Sequence, residues 1–129
     1  MIGYVTLGTN QFERAATFYD ELLSEVGARR FASRERFVFW GKKPGRAMLA
    51  LYKPFDGQPA TPGNGMMVAL GVRDRNQVDR LYEHALKLGA SDEGKPGRRA
   101  QGFYGAYFRD LDGNKLCVFT YEDGGPRMD

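Results

Sequence analysis

The chain has 129 residues, which is enough for one compact domain and too few for two independent domains of ordinary size. Hydrophobic residues make up 42% of it and charged residues 27%, as in soluble globular proteins with a buried core, and the net charge of +3 comes without the long basic runs of a nucleic-acid-binding arm. The single cysteine excludes an intrachain disulfide, and no segment has the pattern of a signal peptide or the ~20 apolar residues of a membrane span, so we expect a cytoplasmic protein.

The first half of the chain predicts one strand, one helix and three further strands. Residues 2–9, IGYVTLGT, are rich in the β-branched and aromatic residues that favour strands. Asn10 and Glu13 have the spacing of a capping box at the start of a helix, and Gly27 is placed to end that helix. The apolar residues between these limits recur at helical spacing: Phe12, Ala15, Ala16, Tyr19, Leu22, Leu23 and Val26. The strands that follow are predicted around Arg29–Ser33, Arg36–Trp40 and Ala47–Tyr52.

The same pattern restarts after a connector. Residues 54–65, PFDGQPATPGNG, are dense in proline and glycine and have no periodicity. Beyond them, MVALGVRDRNQVDRLYEHALKLGA aligns with YVTLGTNQFERAATFYDELLSEVGA of the first half. The matched pairs are Val68 with Val5, Leu70 with Leu7, Gly71 with Gly8, Tyr82 with Tyr19 and Leu86 with Leu23. Asp74 and Gln77 restore the capping box within one residue, and further strands are predicted around Ser91–Glu93, Phe103–Arg109 and Lys115–Tyr121.

Each half therefore consists of a strand, a helix and three strands. The chain predicts an α+β fold made of two tandem βαβββ modules within a single domain, residues 1–129. Module one covers about residues 1–53, the connector covers 54–65, module two covers about 66–122, and residues 123–129 form a tail.

A duplicated βαβββ unit of this length resembles the vicinal oxygen chelate superfamily, which includes glyoxalases, bleomycin resistance proteins and extradiol dioxygenases. The segments that carry the resemblance are VTLGTNQFERAATFYDELL, PFDGQPATPGNG with VAL soon after it, and FRDLDGNKLCVF. The resemblance covers nearly the whole chain and ends before GGPRMD. It implies that the two modules form a cup-shaped mixed sheet, and it implies less about the reaction, because one fold hosts many functions.

The resemblance also implies where a metal would be bound. Family members that use Zn, Fe, Ni or Mn hold it with a His of the first strand, a His or Gln at the start of the second half, and a Glu of the last strand. In this chain those positions fall at Tyr4, Met67 and Cys117. Tyrosine is a poor ligand at neutral pH, methionine offers only a soft thioether, and one thiolate does not complete a site. We therefore expect no metal and no other cofactor.

Cys117 has three possible roles: a nucleophile, a metal ligand or a small apolar side chain in the core. A nucleophile would need a neighbouring base and an electropositive setting to lower the pKa of the thiol. The only histidine, His84, is flanked by Glu83 and Lys87, which indicates a solvated helix face. The sequence therefore favours the apolar role for Cys117.

Strand alternation within the implied fold predicts which side chains line the cup. The candidates are Tyr4, Thr6, Trp40, Met67, Tyr107, Cys117, Phe119 and Tyr121. An aromatic cup suits a flat or amphipathic organic ligand, although the same rings could simply fill the space themselves. Two basic loops, Gly41–Arg46 and Gly94–Arg99, are predicted as solvated hairpin edges, and Arg98 and Arg99 are the candidate contacts for an acidic ligand.

The sequence thus favours a metal-free superfamily member that binds a small organic molecule, in the manner of bleomycin-resistance-like proteins. The alternative is a glyoxalase-like lyase or dioxygenase-like enzyme with an altered or absent metal site, so catalysis is left open. A module that binds nucleic acid or protein through the basic loops is disfavoured, and no membrane partner is expected.

We expect a homodimer. In the family the cup is commonly completed by a second subunit, and one chain of this size leaves sheet edges and aromatic side chains uncovered. Light scattering at micromolar concentration should give twice the mass of the chain. The mass of a single chain would contradict the prediction.

Overall fold

The computed structural model describes residues 1–100 and 102–122. Their secondary structure consists of β1 (Tyr4–Gly8), α1 (Phe12–Ser24), β2 (Arg29–Ser33), β3 (Phe37–Gly41), β4 (Met48–Tyr52), β5 (Val68–Gly71), α2 (Arg75–Lys87), β6 (Ser91–Ala100), β7 (Phe103–Arg109) and β8 (Lys115–Tyr121). The chain divides into two compact units, the first covering Met1–Pro62 and the second beginning at Gly63. The prediction of tandem βαβββ modules is confirmed. The tail predicted at residues 123–129 lies outside the described residues.

Both units build the same four-stranded mixed sheet. The strand order is β1-β4-β3-β2 in the first sheet and β5-β8-β7-β6 in the second. In each sheet the first and last strands of the module pair in parallel, and the remaining pairs are antiparallel. Parallel strands cannot be joined by a tight turn, so the connection includes a helix that packs on one face of the sheet. The repeat in the sequence is therefore also a repeat of topology.

In the first unit, α1 and the sheet share an apolar core. The helix buries Ala15, Ala16, Phe18, Tyr19, Leu22 and Leu23. At the edge of this core the Trp40 indole Nε1 donates to Asp20 Oδ1 at 2.8 Å, and Arg30 donates to both oxygens of the same carboxylate at 2.8 and 2.7 Å. Burial raises the pKa of the Asp20 carboxyl group, but the hydrogen bonds from Arg30 and Trp40 together outweigh this effect. The pKa of Asp20 therefore lies below its ordinary value.

The capping box predicted at the start of α1 is wrong. The N-cap residue is Gln11, and no side chain caps the helix. The Asn10 side chain instead accepts from the Ala60 backbone N–H at 2.7 Å and donates to the Ala60 carbonyl at 3.0 Å. This clamp ties the start of the helix to the connector. The predicted stop is confirmed, because Gly27 has a φ of 79° and Ala28 N–H donates to the Leu23 carbonyl just past the helix end.

In the second unit the predicted cap of α2 is confirmed. The Asp74 carboxylate accepts from the Gln77 backbone N–H at 2.9 Å, and the Gln77 side chain accepts from the Arg73 N–H at 3.0 Å. Two phenol groups then tie the helix to its sheet. The Tyr82 hydroxyl donates to Asp92 and the Tyr104 hydroxyl donates to Asp79, at 2.8 and 2.7 Å.

The strand predicted around Ser91–Glu93 is longer than expected. β6 continues to Ala100, so the predicted basic loop Gly94–Arg99 is part of a strand and not a hairpin edge. Three register shifts interrupt its pairing with β7. Because β6 is the outer strand of its sheet, Pro96 can lie within it without removing a hydrogen bond from a central strand. The other predicted basic loop, Gly41–Arg46, does lie between β3 and β4.

Each helix has 13 residues, well short of the ~20 that a bilayer requires. Among the described residues, no helix is therefore long and apolar enough to cross a membrane.

The Asp74 cap can be tested by substitution. Asp74→Ala should lower the free energy of unfolding by about 1 kcal/mol, because the Gln77 N–H loses its acceptor. Asp74→Asn is the matched control and should retain most of the stability, since the amide oxygen can still accept. Urea denaturation measures both variants. Equal losses from the two substitutions would show that the cap is not responsible.

Candidate functional site

The candidate site is the face of the second sheet that points away from α2. Tyr104 bonds to Asp79 of α2, and its partner in β8 is Thr120, so the even-numbered side chains of β7 and β8 point toward the helix. Leu116 and Val118 belong to that helix side and are fully buried. The alternate residues point the other way and define what we name the second open face: Phe103, Tyr107, Cys117, Phe119 and Tyr121.

Three aromatic rings of the second open face pack against one another. Phe103 and Phe119 stack with their centroids 5.1 Å apart and their planes 8° apart, and Tyr121 meets both rings edge-on. The stack lies over Gly105, where a Cβ atom would come within 2.8 Å of the Phe103 ring. Tyr121 remains 39% exposed. The face therefore presents a packed cluster of three rings in which Phe119 is buried and Tyr121 is exposed.

Cys117 lies at the centre of this sheet and is fully buried. Its neighbour across the ladder is Tyr107 in β7, and β5 places Ala69 on its other side. Burial raises the pKa of the Cys117 thiol to about 11, and the opposing effects of the Tyr107 hydrogen bond and of the charges on Arg99 and Lys115 do not offset it. The thiol is therefore protonated at neutral pH, as expected of an apolar core side chain and not of a nucleophile.

Two cationic side chains surround Tyr107. The Arg99 guanidinium carbon lies 5.4 Å from the ring centroid, and the Lys115 ammonium nitrogen lies 5.5 Å from it. Arg98, which the sequence grouped with Arg99, pairs with Tyr104 in the ladder and so belongs to the helix side. The hydrogen bonds from Arg75 lower the pKa of Glu122, and the charge of Arg98 contributes to the same shift. The structure thus separates Arg98 from Arg99.

The first unit has an open face of its own, which we define by Tyr4, Thr6, Phe37, Phe39 and Tyr52. Tyr4 packs edge-on against Phe39 at 4.8 Å, and Phe37 stacks on Tyr52 at 5.3 Å. Thr6 is exposed and belongs to the row of Ala50 and Phe39. The sequence identified Tyr4 and Thr6 but missed the three other aromatic residues. Their register with Tyr4 and Thr6 through β4 is the signal that would have found them.

Trp40 does not belong to this open face. It shares a row with Leu49 and Val5 on the opposite side of the sheet. There its ring packs 5.6 Å from Tyr19 of α1 and is only 2% exposed. The placement of Trp40 in the cup is therefore wrong. The segment RFVFW is apolar on both faces, so alternation alone could not fix which residues point toward the helix.

Comparison with known proteins now decides the family. The family model for the Glyoxalase/Bleomycin resistance protein/Dioxygenase superfamily matches residues 1–118. The chain belongs to this superfamily. A glyoxalase/bleomycin resistance protein from Albidiferax ferrireducens T118 is 31% identical, with a TM-score of 0.84 over 93% of this chain and 98% of that one.

Two further crystal structures of the superfamily share the fold. A glyoxalase-related enzyme from Fulvimarina pelagi is 23% identical, with a TM-score of 0.74 over 93% of this chain and 87% of its own. A lactoylglutathione lyase from Agrobacterium tumefaciens is 24% identical, with a TM-score of 0.66 over 93% and 92%. A search of curated proteins gave no match to this sequence.

The three residues that the sequence predicted at the metal-ligand positions of the superfamily are poor ligands for a metal. Tyr4 is 51% exposed in the first unit, and Met67, 46% exposed, precedes β5 of the second unit. Cys117 is the single thiol and is buried as the protonated form. Across residues 1–100 and 102–122, no cluster of three or more His, Cys, Asp or Glu side chains could hold an ion. A phenol, a thioether and a protonated thiol are each weak donors for a divalent ion.

The role of Cys117 can be measured through its reactivity. The thiol should react slowly with a thiol reagent at pH 7–8 in the native protein and rapidly after denaturation, because it is buried and its pKa is about 11. Cys117→Ala should lower the free energy of unfolding by about 1–2 kcal/mol.

The pH dependence gives a second readout for Cys117. Its folded pKa lies above its ordinary value of 9.0, so its contribution to stability is complete below pH 9 and is lost as the pH rises toward 11. The stability difference between wild type and Cys117→Ala should therefore shrink over that window. Rapid native labelling with an apparent pKa below 7 would contradict the apolar role.

Proposed function

We propose that this superfamily member binds a small, flat organic molecule on the second open face without using a metal at the superfamily positions. The observation that carries the proposal is the stacked pair Phe103–Phe119, with the partly exposed ring of Tyr121 against it. These rings share one face of a sheet whose other face is covered by α2.

The physical basis of binding is stacking and desolvation. Aromatic rings fixed by their neighbours offer apolar area at little cost in conformational entropy, and a planar ligand can stack on them with offset geometry. Gly105 leaves room for the Phe103 ring, because a side chain at this position would collide with it. A face of this kind selects ligands by shape and planarity.

The donor chemistry supports a metal-independent role. Tyr4, Met67 and Cys117 replace the imidazole and carboxylate groups that hold the ion in metal-using relatives. Binding on the second open face needs only side chains of this chain. A homodimer and a cytoplasmic location remain predictions from the sequence, and exposed apolar residues such as Tyr4 and Met67 are compatible with a partner subunit.

A neutral aromatic probe tests this proposal. Phenylnaphthylamine, whose fluorescence rises in apolar surroundings, should bind the folded protein saturably, and EDTA should leave its affinity unchanged. Tyr121→Ala should weaken binding roughly three- to tenfold, because it removes the exposed aromatic ring on which the probe would pack. Phe55→Ala is the matched control, since Phe55 is 95% exposed and belongs to the first unit, and it should bind as wild type does.

Three results would contradict the proposal. The first is the absence of saturable binding to a protein that unfolds cooperatively. The second is loss of binding in EDTA, which would indicate a required metal. The third is an equal effect of Phe55→Ala and Tyr121→Ala, which would indicate nonspecific adsorption.

A further inference from the structure

Arg99 is held over the second sheet by the shape of β6. The strand has no side chain at Gly94 and Gly97, and the guanidinium of Arg99 occupies the space above them. A Cβ atom at Gly97 would lie 2.8 Å from Arg99 Nη1, and one at Gly94 would lie 3.3 Å from Arg99 Nη2. Arg99 Nη2 also donates to the Lys95 carbonyl within the same strand. The absence of side chains at Gly94 and Gly97 therefore leaves room for the Arg99 guanidinium to lie beside the Tyr107 ring.

Lys115 brings a second positive charge to the Tyr107 ring from β8, the neighbour of β7 on the side away from β6. It lies in β8 two residues before Cys117, and both it and Arg99 lie over the Tyr107 ring, 5.5 and 5.4 Å from its centroid. Both cations also act on Cys117: burial dominates its pKa, while the charges of Arg99 and Lys115 oppose that rise. Two cations from different strands thus lie beside the same ring, that of Tyr107, on the second open face.

The acidic side chains nearby have other partners. Glu93 pairs with Arg109 at 2.9 Å. Asp92 accepts from the Tyr82 hydroxyl and from the Gly94 N–H, both at 2.8 Å. In the part of the chain that the structure describes, neither Arg99 nor Lys115 forms an ion pair with a carboxylate. Among the described residues, the face consequently carries two cations without a carboxylate partner.

The positions of the cations and the aromatic rings suit one molecule. Along β7, Tyr107, Gly105 and Phe103 follow at every second residue, so their rows are about 7 Å apart. The cations surround the first row, and the Phe103–Phe119 stack covers the other two. A ligand with its charged group at Tyr107 would place its ring system on the stack if it were roughly 7–13 Å long.

We propose that Arg99 and Lys115 form an oxyanion subsite, and that the ligand of the second open face is a flat organic acid carrying a carboxylate, sulfonate or phosphate group. This inference rests on the proposed function and specifies the class of molecule bound. The subsite is built from one guanidinium and one ammonium group, which together provide directional hydrogen bonds and charge. Arg98 has no part in it, because it lies on the helix side of the strand.

The experiment compares two probes that differ by one charged group. Anilinonaphthalene sulfonate carries a sulfonate on the ring system of phenylnaphthylamine, which is neutral. Wild type should bind the sulfonated dye at least about fivefold more tightly than the neutral one, as expected for partly exposed ion pairs. That preference should fall when the salt concentration is raised from about 0.02 M to about 0.5 M, while binding of the neutral dye should not weaken.

Three variants and one control locate the subsite. Arg99→Gln and Lys115→Gln should each reduce the preference roughly two- to fivefold, and the double variant should bring it close to one. Gly97→Ala should also reduce it without changing any charge, because the new methyl group displaces the flexible end of Arg99. Arg98→Gln removes the same charge from the opposite side of the strand and should keep the preference of wild type.

The outcomes separate the two proposals. Binding of the neutral dye without any preference for the sulfonated dye would overturn the oxyanion subsite and leave the aromatic face intact. A preference that survives in the double variant, or that Arg98→Gln lowers as much as Arg99→Gln does, would overturn it as well. Failure of both dyes to bind the folded protein would overturn the proposed function and the subsite together.

Discussion

The parallel pairing of the first and last strands of each module is the constraint on which the rest of the structure depends. β1 pairs with β4 and β5 with β8 in parallel, and a parallel pair must be joined by a long connection. In each module the helix is part of that connection and covers one face of the sheet. The alternating side chains of the strands are thereby sorted into a helix-packed set and a set on the open face.

This sorting explains why one fold can carry different sites on its two modules. The helix sides are alike: Tyr19 and Tyr82 occupy equivalent positions of α1 and α2 and are both buried. The open faces differ in their chemistry. The first combines aromatic rings with Thr6, whereas the second adds a buried thiol and two cations around Tyr107. Residues on an open face are under less packing constraint from the helix, so their chemistry can vary while the fold is retained.

The superfamily assignment and the side chains at the predicted metal-ligand positions together narrow the possible functions. Membership brings a fold that in other proteins supports a lyase and proteins named for bleomycin resistance. The positions that the sequence predicts as metal ligands carry a phenol, a thioether and a thiol that burial keeps protonated. Packed aromatic rings and two cations, which have no carboxylate partner in residues 1–100 and 102–122, are the chemistry that the second open face offers. These are the groups that the proposed recognition of a planar acid would use.

The sequence by itself determined the modular plan and much of its local structure. The repeat predicted both βαβββ units, the helix faces and the Asp74 cap, and the bounds of β2, β7 and β8 agree with the prediction. These features depend on the periodicity of apolar residues and on side chains a few residues apart, so they are visible in one stretch of chain. The choice of Tyr107, Cys117, Phe119 and Tyr121 for one face also followed from alternation within single strands.

Only the tertiary structure decided the features that depend on distant partners. Asn10 bonds to Ala60, fifty residues away, and therefore does not cap its own helix. The side of Trp40 was decided by its pairing with Leu49, because its strand is apolar on both faces. The extension of β6 to Ala100 paired Arg98 with Tyr104 on the helix side, and Arg99 came to the Tyr107 ring that Lys115 of another strand also contacts. Register and bulges are set by contacts between strands, and a local pattern does not contain that information.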